Sequence, residues 1–261
     1  MANLQPITKA NFANKSWKRH SDFSFTAKDT ACPLGAAELP RAMMCMPLAF
    51  ISNSGEYTVA AIQGLLQDTN FYVGADGVWQ GSYIPAAYRG YPFVLANDKA
   101  KKNGLVLCID TDSGLLIDDN TGEPFFGEGL EPSQAVTKII EFLSNLIAAQ
   151  KASIQICKSL SDHGLLKPWA LEIGKENETK QVQGLFCIDE NALKELSDDC
   201  YSEIRRAGAI PVIYCQLLSM QRIFDLTQFA GNKSEFDWLL EPNELDFDGV
   251  NKDGGISFEN L

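Results

Sequence analysis

Apolar positions along the first half of the chain come in short blocks of strand length, broken by turn residues. Residues 46–52 predict a strand, Asn53-Ser54-Gly55 a turn, and residues 57–62 the partner strand. Phe71-Tyr72-Val73 and Val78-Trp79-Gln80 flank Gly74-Ala75-Asp76-Gly77, a hairpin signal. Pro92 limits the run 91–96 to a strand start or an edge, because proline has no N–H for a ladder. After a polar connection at 97–104, residues 105–110 form an apolar run of strand length. Ser113-Gly114 turns it toward 115–118, and residues 119–122 turn again.

The period then changes. Residues 132–163 contain Pro132 at the start and no glycine, and Val136, Ile140, Leu143, Ile147, Ile154 and Cys157 fall on one helical face. Pro132 suits the first turn and Gly164 the position past the end. Such a helix is about 45 Å long at a rise of 1.5 Å per residue. Its apolar face, which also takes in Ile139 and Leu146, is wider than a coiled-coil stripe and predicts core packing, with a homo-oligomer seam as the second reading. Beyond it, residues 169–173 and 182–188 predict two strands around a polar hairpin at 174–181. Asp189 is a candidate N-cap for a helix carrying Leu193, Leu196, Cys200 and Ile204, stopped by Gly208. Residues 210–215 predict a strand and 217–230 a helix. A mostly β first half, one long helix and a β-β-α-β-α end predict an α+β fold with a mixed, largely antiparallel sheet.

Charge divides the 261 residues unevenly. The chain carries 34 acidic and 22 basic residues, a net charge of −12. Residues 1–28 nevertheless have a net charge of +4 and residues 235–261 one of −7. These ends read as a basic arm (1–30) and an acidic tail (233–261) around a single domain at 31–232. The acidic balance argues against a general nucleic-acid binder, and no apolar stretch is long enough to span a bilayer. The N-terminus lacks the apolar core of a secretory signal, and the seven cysteines are odd in number and irregularly spaced, with no CxxC. Both features predict a cytoplasmic protein with its cysteines reduced; Cys108, Cys187 and Cys215 sit in apolar runs as core residues.

Candidate chemistry is concentrated around Arg89. Phe71, Tyr72, Trp79, Tyr83, Tyr88, Tyr91 and Phe93 fall within 23 residues, where the chain average of 10% gives about two. A guanidinium among amphipathic rings offers a planar fork for a carboxylate or phosphate. Trp79, Tyr83, Tyr88, Arg89 and Tyr91 are therefore candidate ligand-binding residues, against the alternative of a ring-rich core. Ser219 and Arg222 form a second candidate, at a predicted strand-to-helix junction where backbone donors could hold an anion.

Other patterns are weaker. Asp110-Thr-Asp112 follows an apolar strand but makes an equally good turn, and residues 246–254 lack the order of a calcium loop. No nucleotide, nucleophile-elbow or zinc-protease motif occurs, and the two histidines are far apart, with His163 placed to cap a helix end. No cofactor, metal site or catalytic group is implied.

Several segments together resemble the bacterial SapC family. They are Met46-Pro47-Leu48-Ala49-Phe50, the stretch from Trp79 to Phe93, residues 164–169, 184–190 and 208–211, and Gln216-Leu217-Leu218-Ser219-Met220. That family takes its name from an association with paracrystalline surface layers and is distinct from the peptide-transport permease of the same name. The resemblance implies no established reaction or cofactor. Three functions are then open. The first is a cytoplasmic accessory protein binding a small anionic or peptide-like ligand, or a protein partner, through the Arg89 region. The second is a surface-layer or envelope component, and the third an enzyme without histidine or nucleotide motifs.

Overall fold

The computed structural model of the protein describes residues 3–97, 104–119, 121–173 and 180–226. The acidic tail, the turn of the 174–181 hairpin, most of the 97–104 connection and the end of the 217–230 helix thus lie outside the described residues.

Among the described residues, four small antiparallel sheets and one long helix organise the fold. It begins with β1 (Leu4–Pro6), α1 (Lys9–Phe12), β2 (Ser16–Trp17), β3 (Ala31–Pro33) and α2 (Leu39–Ala42). The hairpin β4 (Leu48–Asn53) and β5 (Glu56–Ile62) follows, in register from Leu48↔Ala61 to Asn53↔Glu56. Its turn residues Ser54 and Gly55 both have left-handed φ, 53° and 86°, the geometry that matches the twist of a two-residue hairpin. Next come α3 (Ala86–Arg89), β6 (Phe93–Asn97), β7 (Leu105–Asp110), β8 (Leu116–Ile117), β9 (Glu123–Pro124) and α4 (Gln134–Asp162). The C-terminal part holds β10 (Leu166–Pro168), β11 (Leu171–Ile173), β12 (Lys180–Val182), β13 (Leu185–Ile188), α5 (Glu190–Lys194), α6 (Asp198–Arg206), α7 (Ala209–Ser219) and α8 (Arg222–Leu226).

A five-stranded sheet has the order β10-β13-β4-β5-β3, and a three-stranded sheet the order β1-β7-β6. Helix α4 serves both. Ser133 caps its start by accepting the Val136 N–H at 3.2 Å, and Gly164, at φ 67°, follows its end. Val136 and Leu143 in the first half pack with Phe12, Trp17, Phe93, Ile109 and Phe125 over the smaller sheet. Cys157 and Leu160 in the second half join Leu48, Phe50, Val59, Ile188 and Ile213 over the larger one. Each such large side chain contributes on the order of 1.5–3 kcal/mol by leaving water. Much of the apolar stripe thus packs in these two cores, as the core reading expects. His163 closes the helix as anticipated: its Nδ1 lies 2.8 Å from Ser159 O, and its Nε2 lies 3.2 Å from Glu203 Oε2 on α6.

The α+β class, the antiparallel pairing and the long helix are as the sequence predicts, but five local expectations are corrected. Residues 210–215 are not a strand; they belong to α7. Their buried positions Ala209, Val212, Ile213, Gln216 and Ser219 follow helical spacing, and Pro211 sits in the first turn, where its missing N–H costs nothing. A short run rich in Ile and Val reads as either element, and packing against β4, β13 and α4 decides it. Consequently no strand-to-helix junction exists at Ser219; α7 ends there and α8 begins at Arg222. The single helix expected after Asp189 is two, because Ser197 caps a second start at the Cys200 N–H. Asp189 does cap the first of them, at the Asn191 and Ala192 N–H groups.

The hairpin around residues 74–77 forms only one bridge, Val73↔Trp79, rather than two strands. Finally, the N-terminal stretch is not a solvated arm. Its β1 pairs with β7, its β2 lies between β8 and β9, and Phe12, Trp17 and Thr26 are buried. Its charge concealed an amphipathic pattern in which the lysines stay outside while the rings go in.

Candidate functional site

Three segments meet around a cavity of about 480 Å³ beside the smaller sheet. The first is the N-terminal stretch. Ser16 Oγ donates to Asp119 O and accepts the Gly122 N–H, fixing β2 between its two neighbours. Trp17, 3% exposed, places its ring edge-to-face on Phe93 with centroids 4.7 Å apart. Its indole N–H has no acceptor among the described residues. Arg19 extends over the Trp17 ring at 6.0 Å and donates from Nε to Glu123 Oε1 at 2.7 Å. His20 packs edge-on against Phe23, Phe25 and Tyr91.

The second segment is α3 with the residues after it. Arg89 ends this turn of helix, and Gly90 follows. A Cβ on Gly90 would lie 2.7 Å from Leu143 Cδ2 and 3.6 Å from Phe142 Cε1. The segment carrying Arg89 therefore rests directly on α4. The third segment is α4 itself, which presents Ala135, Lys138, Ile139 and Phe142, one stripe at helical spacing, to the cavity.

Arg89 is oriented without being consumed. Its side chain is 48% exposed, and its Nη2 lies 3.4 Å from Tyr83 Oη and 3.9 Å from Glu38 Oε2. Glu38 is already engaged by closer donors: Tyr83 Oη at 2.8 Å, the Ala86 N–H at 2.7 Å and the Gly35 N–H at 3.0 Å. The guanidinium also lies 5.9 Å over the Tyr83 ring. Arg89 also lines the cavity, and of its side-chain nitrogens only Nη2 has a hydrogen-bond partner among the described residues. Of the three permanent cations in the wall, Arg19 is paired with Glu123. Lys138, which is exposed, has no carboxylate within 4 Å among the described residues. Arg89 and Lys138 are therefore the charges available to a ligand.

The remaining predicted residues divide into two groups. Tyr91 lines the cavity beside Arg89 and stacks on Phe25, with centroids 3.8 Å apart. Trp79, Tyr83 and Tyr88 stand behind it. The Trp79 indole donates to Tyr83 O at 2.9 Å, and Tyr88 Oη donates to Gln63 Oε1 at 2.6 Å. Burial pushes the Tyr83 phenol up, and the adjacent Glu38 carboxylate adds to the shift. Burial likewise raises Tyr88, with Cys32 and Asp29 nearby. Both phenols therefore stay protonated and act as donors, not bases.

Ser219 and Arg222 do not line this cavity. Ser219 is fully buried, accepts the Leu48 N–H at 3.0 Å and donates to Gln216 O at 2.7 Å. Arg222 pairs with Asp225 at 2.7 Å. Asp110 likewise spends its carboxylate on its own backbone, accepting the Asn3 and Asp112 N–H groups.

No cluster of three or more metal-ligating side chains occurs among the described residues, and no described helix is long and apolar enough to cross a membrane. The seven cysteines are free, and burial pushes the Cys32 and Cys157 thiols up to about 12, far from reactive thiolates.

Residue-by-residue reading of the sequence missed Trp17, Arg19, His20 and Phe23 in the supposed arm, and Lys138, Ile139 and Phe142 on the long helix. A signal for the first group was present: Trp17 precedes and Phe23 and Phe25 follow the basic run Lys18-Arg19-His20, the same mixture of rings and cations that marks the Arg89 segment.

Fold and cavity together define an α+β protein with a cation-rimmed, ring-walled pocket. The chain belongs to the SapC family, whose model matches residues 7–226. That match takes in the N-terminal wall of the cavity, α3 and the whole of α4. No curated protein and no solved structure matches the chain.

Proposed function

We propose that this protein binds a small anionic ligand in the cavity between the N-terminal stretch, α3 and α4, with the negative group held between Arg89 and Lys138. One observation carries the reading. In a chain of net charge −12, the thirteen residues of this wall include no acidic residue, while Lys138 has no carboxylate within 4 Å among the described residues and Arg89 has only Glu38, 3.9 Å off. Basic side chains gathered on an acidic protein repel one another, and an incoming anion relieves that repulsion. The volume lies in the range of small-ligand sites, and the wall is otherwise apolar, so a bound anion can place its apolar part inside and its charge at the rim, on Arg89 and Lys138. We place this activity in the cytoplasm, on the support of seven free cysteines.

Isothermal titration of the full chain with a panel of small carboxylates, phosphates and short acidic peptides tests the proposal. At least one anion is expected to bind, at least tenfold more weakly to Lys138→Ala and Arg89→Ala. Affinities indifferent to both substitutions would reject it.

A further inference from the structure

Taking the anion-binding reading as its basis, we infer that the ligand is an aryl carboxylate of one or two rings. Its acid lies between Arg89 and Lys138, and its ring lies against Phe23, Tyr91 and Phe142, the half-buried rings of the wall. The wall separates into two chemistries. The available charge is one guanidinium and one ammonium, since Arg19 is held by Glu123. The start of α4 is also taken, since Ser133 caps it at the Val136 N–H. Two side-chain cations match a single carboxylate, which a planar Arg fork meets edge-on. A phosphate dianion brings a second charge and a tighter hydration shell to shed against a wall that is otherwise apolar.

The rest of the cavity is ring and hydrocarbon: Trp17, Phe23, Tyr91, Phe93, Phe142 and Ile139. Rings already meet there edge-to-face, as in Trp17 on Phe93 at 86°, and Arg19 lies over the Trp17 face. A flat aromatic body continues such a pattern by offering both an edge and a face. A saturated body of the same size gains only from leaving water.

Calorimetry on the full chain separates these terms with five probes: 2-naphthoate, its saturated decahydro analogue, uncharged 2-naphthamide, acetate and inorganic phosphate. The naphthoate should bind at least tenfold tighter than acetate, phosphate or the amide. It should also bind about threefold or more tighter than the decahydro acid, the margin that ring–ring geometry adds beyond area. Phe142→Leu, a conservative change whose folding is checked by circular dichroism, should narrow the aryl advantage, bringing naphthoate affinity closer to that of the decahydro acid. Equal binding of the saturated acid, or tighter binding of phosphate, would overturn the aryl carboxylate while leaving anion binding in place. Binding of no anion, or binding indifferent to Arg89→Ala, would remove both.

Discussion

Around Ser219 the polar groups are spent inside the chain. Gln216 accepts the Ile188 N–H at 3.0 Å and donates to Leu48 O at 3.3 Å; Ser219 accepts the Leu48 N–H; Arg222 closes on Asp225. Around Arg89 the arrangement is reversed. Glu38 takes its bonds from Tyr83, Ala86 and Gly35, and the guanidinium stands 3.9 Å off, half exposed at the edge of an apolar cavity. The two arginines have comparable surroundings in sequence, rings and apolar residues on either side. What separates them is whether a nearer partner exists for the carboxylate that each could use. A polar group that completes a backbone bond pins strands to a helix, and one left at a rim remains for something outside the fold.

The largest expected effect on that contrast is Gln216→Ala. It strands both the Ile188 N–H and the Leu48 carbonyl in the core, and should cost about 2–4 kcal/mol in urea unfolding. Ligand affinity of the folded protein should not change. Ser219→Ala follows, at about 1–3 kcal/mol: the Leu48 N–H loses its acceptor, and the Gln216 carbonyl loses one donor. Arg222→Ala is smallest. A partly exposed pair three residues apart is worth about 0.2–1 kcal/mol, and its loss should leave both folding and affinity nearly unchanged. A large affinity loss in any of the three variants would show that the two regions are one site.

Much of the fold could be read from period alone. The β4–β5 hairpin, the strand before Asp110 and the 29-residue helix α4 follow from turn chemistry and spacing. Failure came where period is ambiguous. Residues 210–215 carry Ile and Val in a run too short to distinguish strand from helix, and their neighbours in space made the choice. It came again where charge concealed burial, as in the stretch from Phe12 to Thr26. The candidate site was half legible. Arg89 and Tyr91 are marked by the ring-rich segment that contains them. The opposite wall, Trp17 and Arg19 with Lys138 and Phe142, lies scores of residues away on either side, and only tertiary packing brings it there.

The central claim is that Arg89 is held for a ligand and not for the fold. Paired calorimetry and urea denaturation of Arg89→Ala beside Arg222→Ala, with 2-naphthoate as the titrant, test it most directly. The account predicts that Arg89→Ala loses about tenfold to a hundredfold in affinity while its unfolding free energy moves by less than about 1 kcal/mol. The Arg222 variant should bind like the unaltered chain. Retained affinity in Arg89→Ala, accompanied by a loss of several kcal/mol of stability, would contradict it.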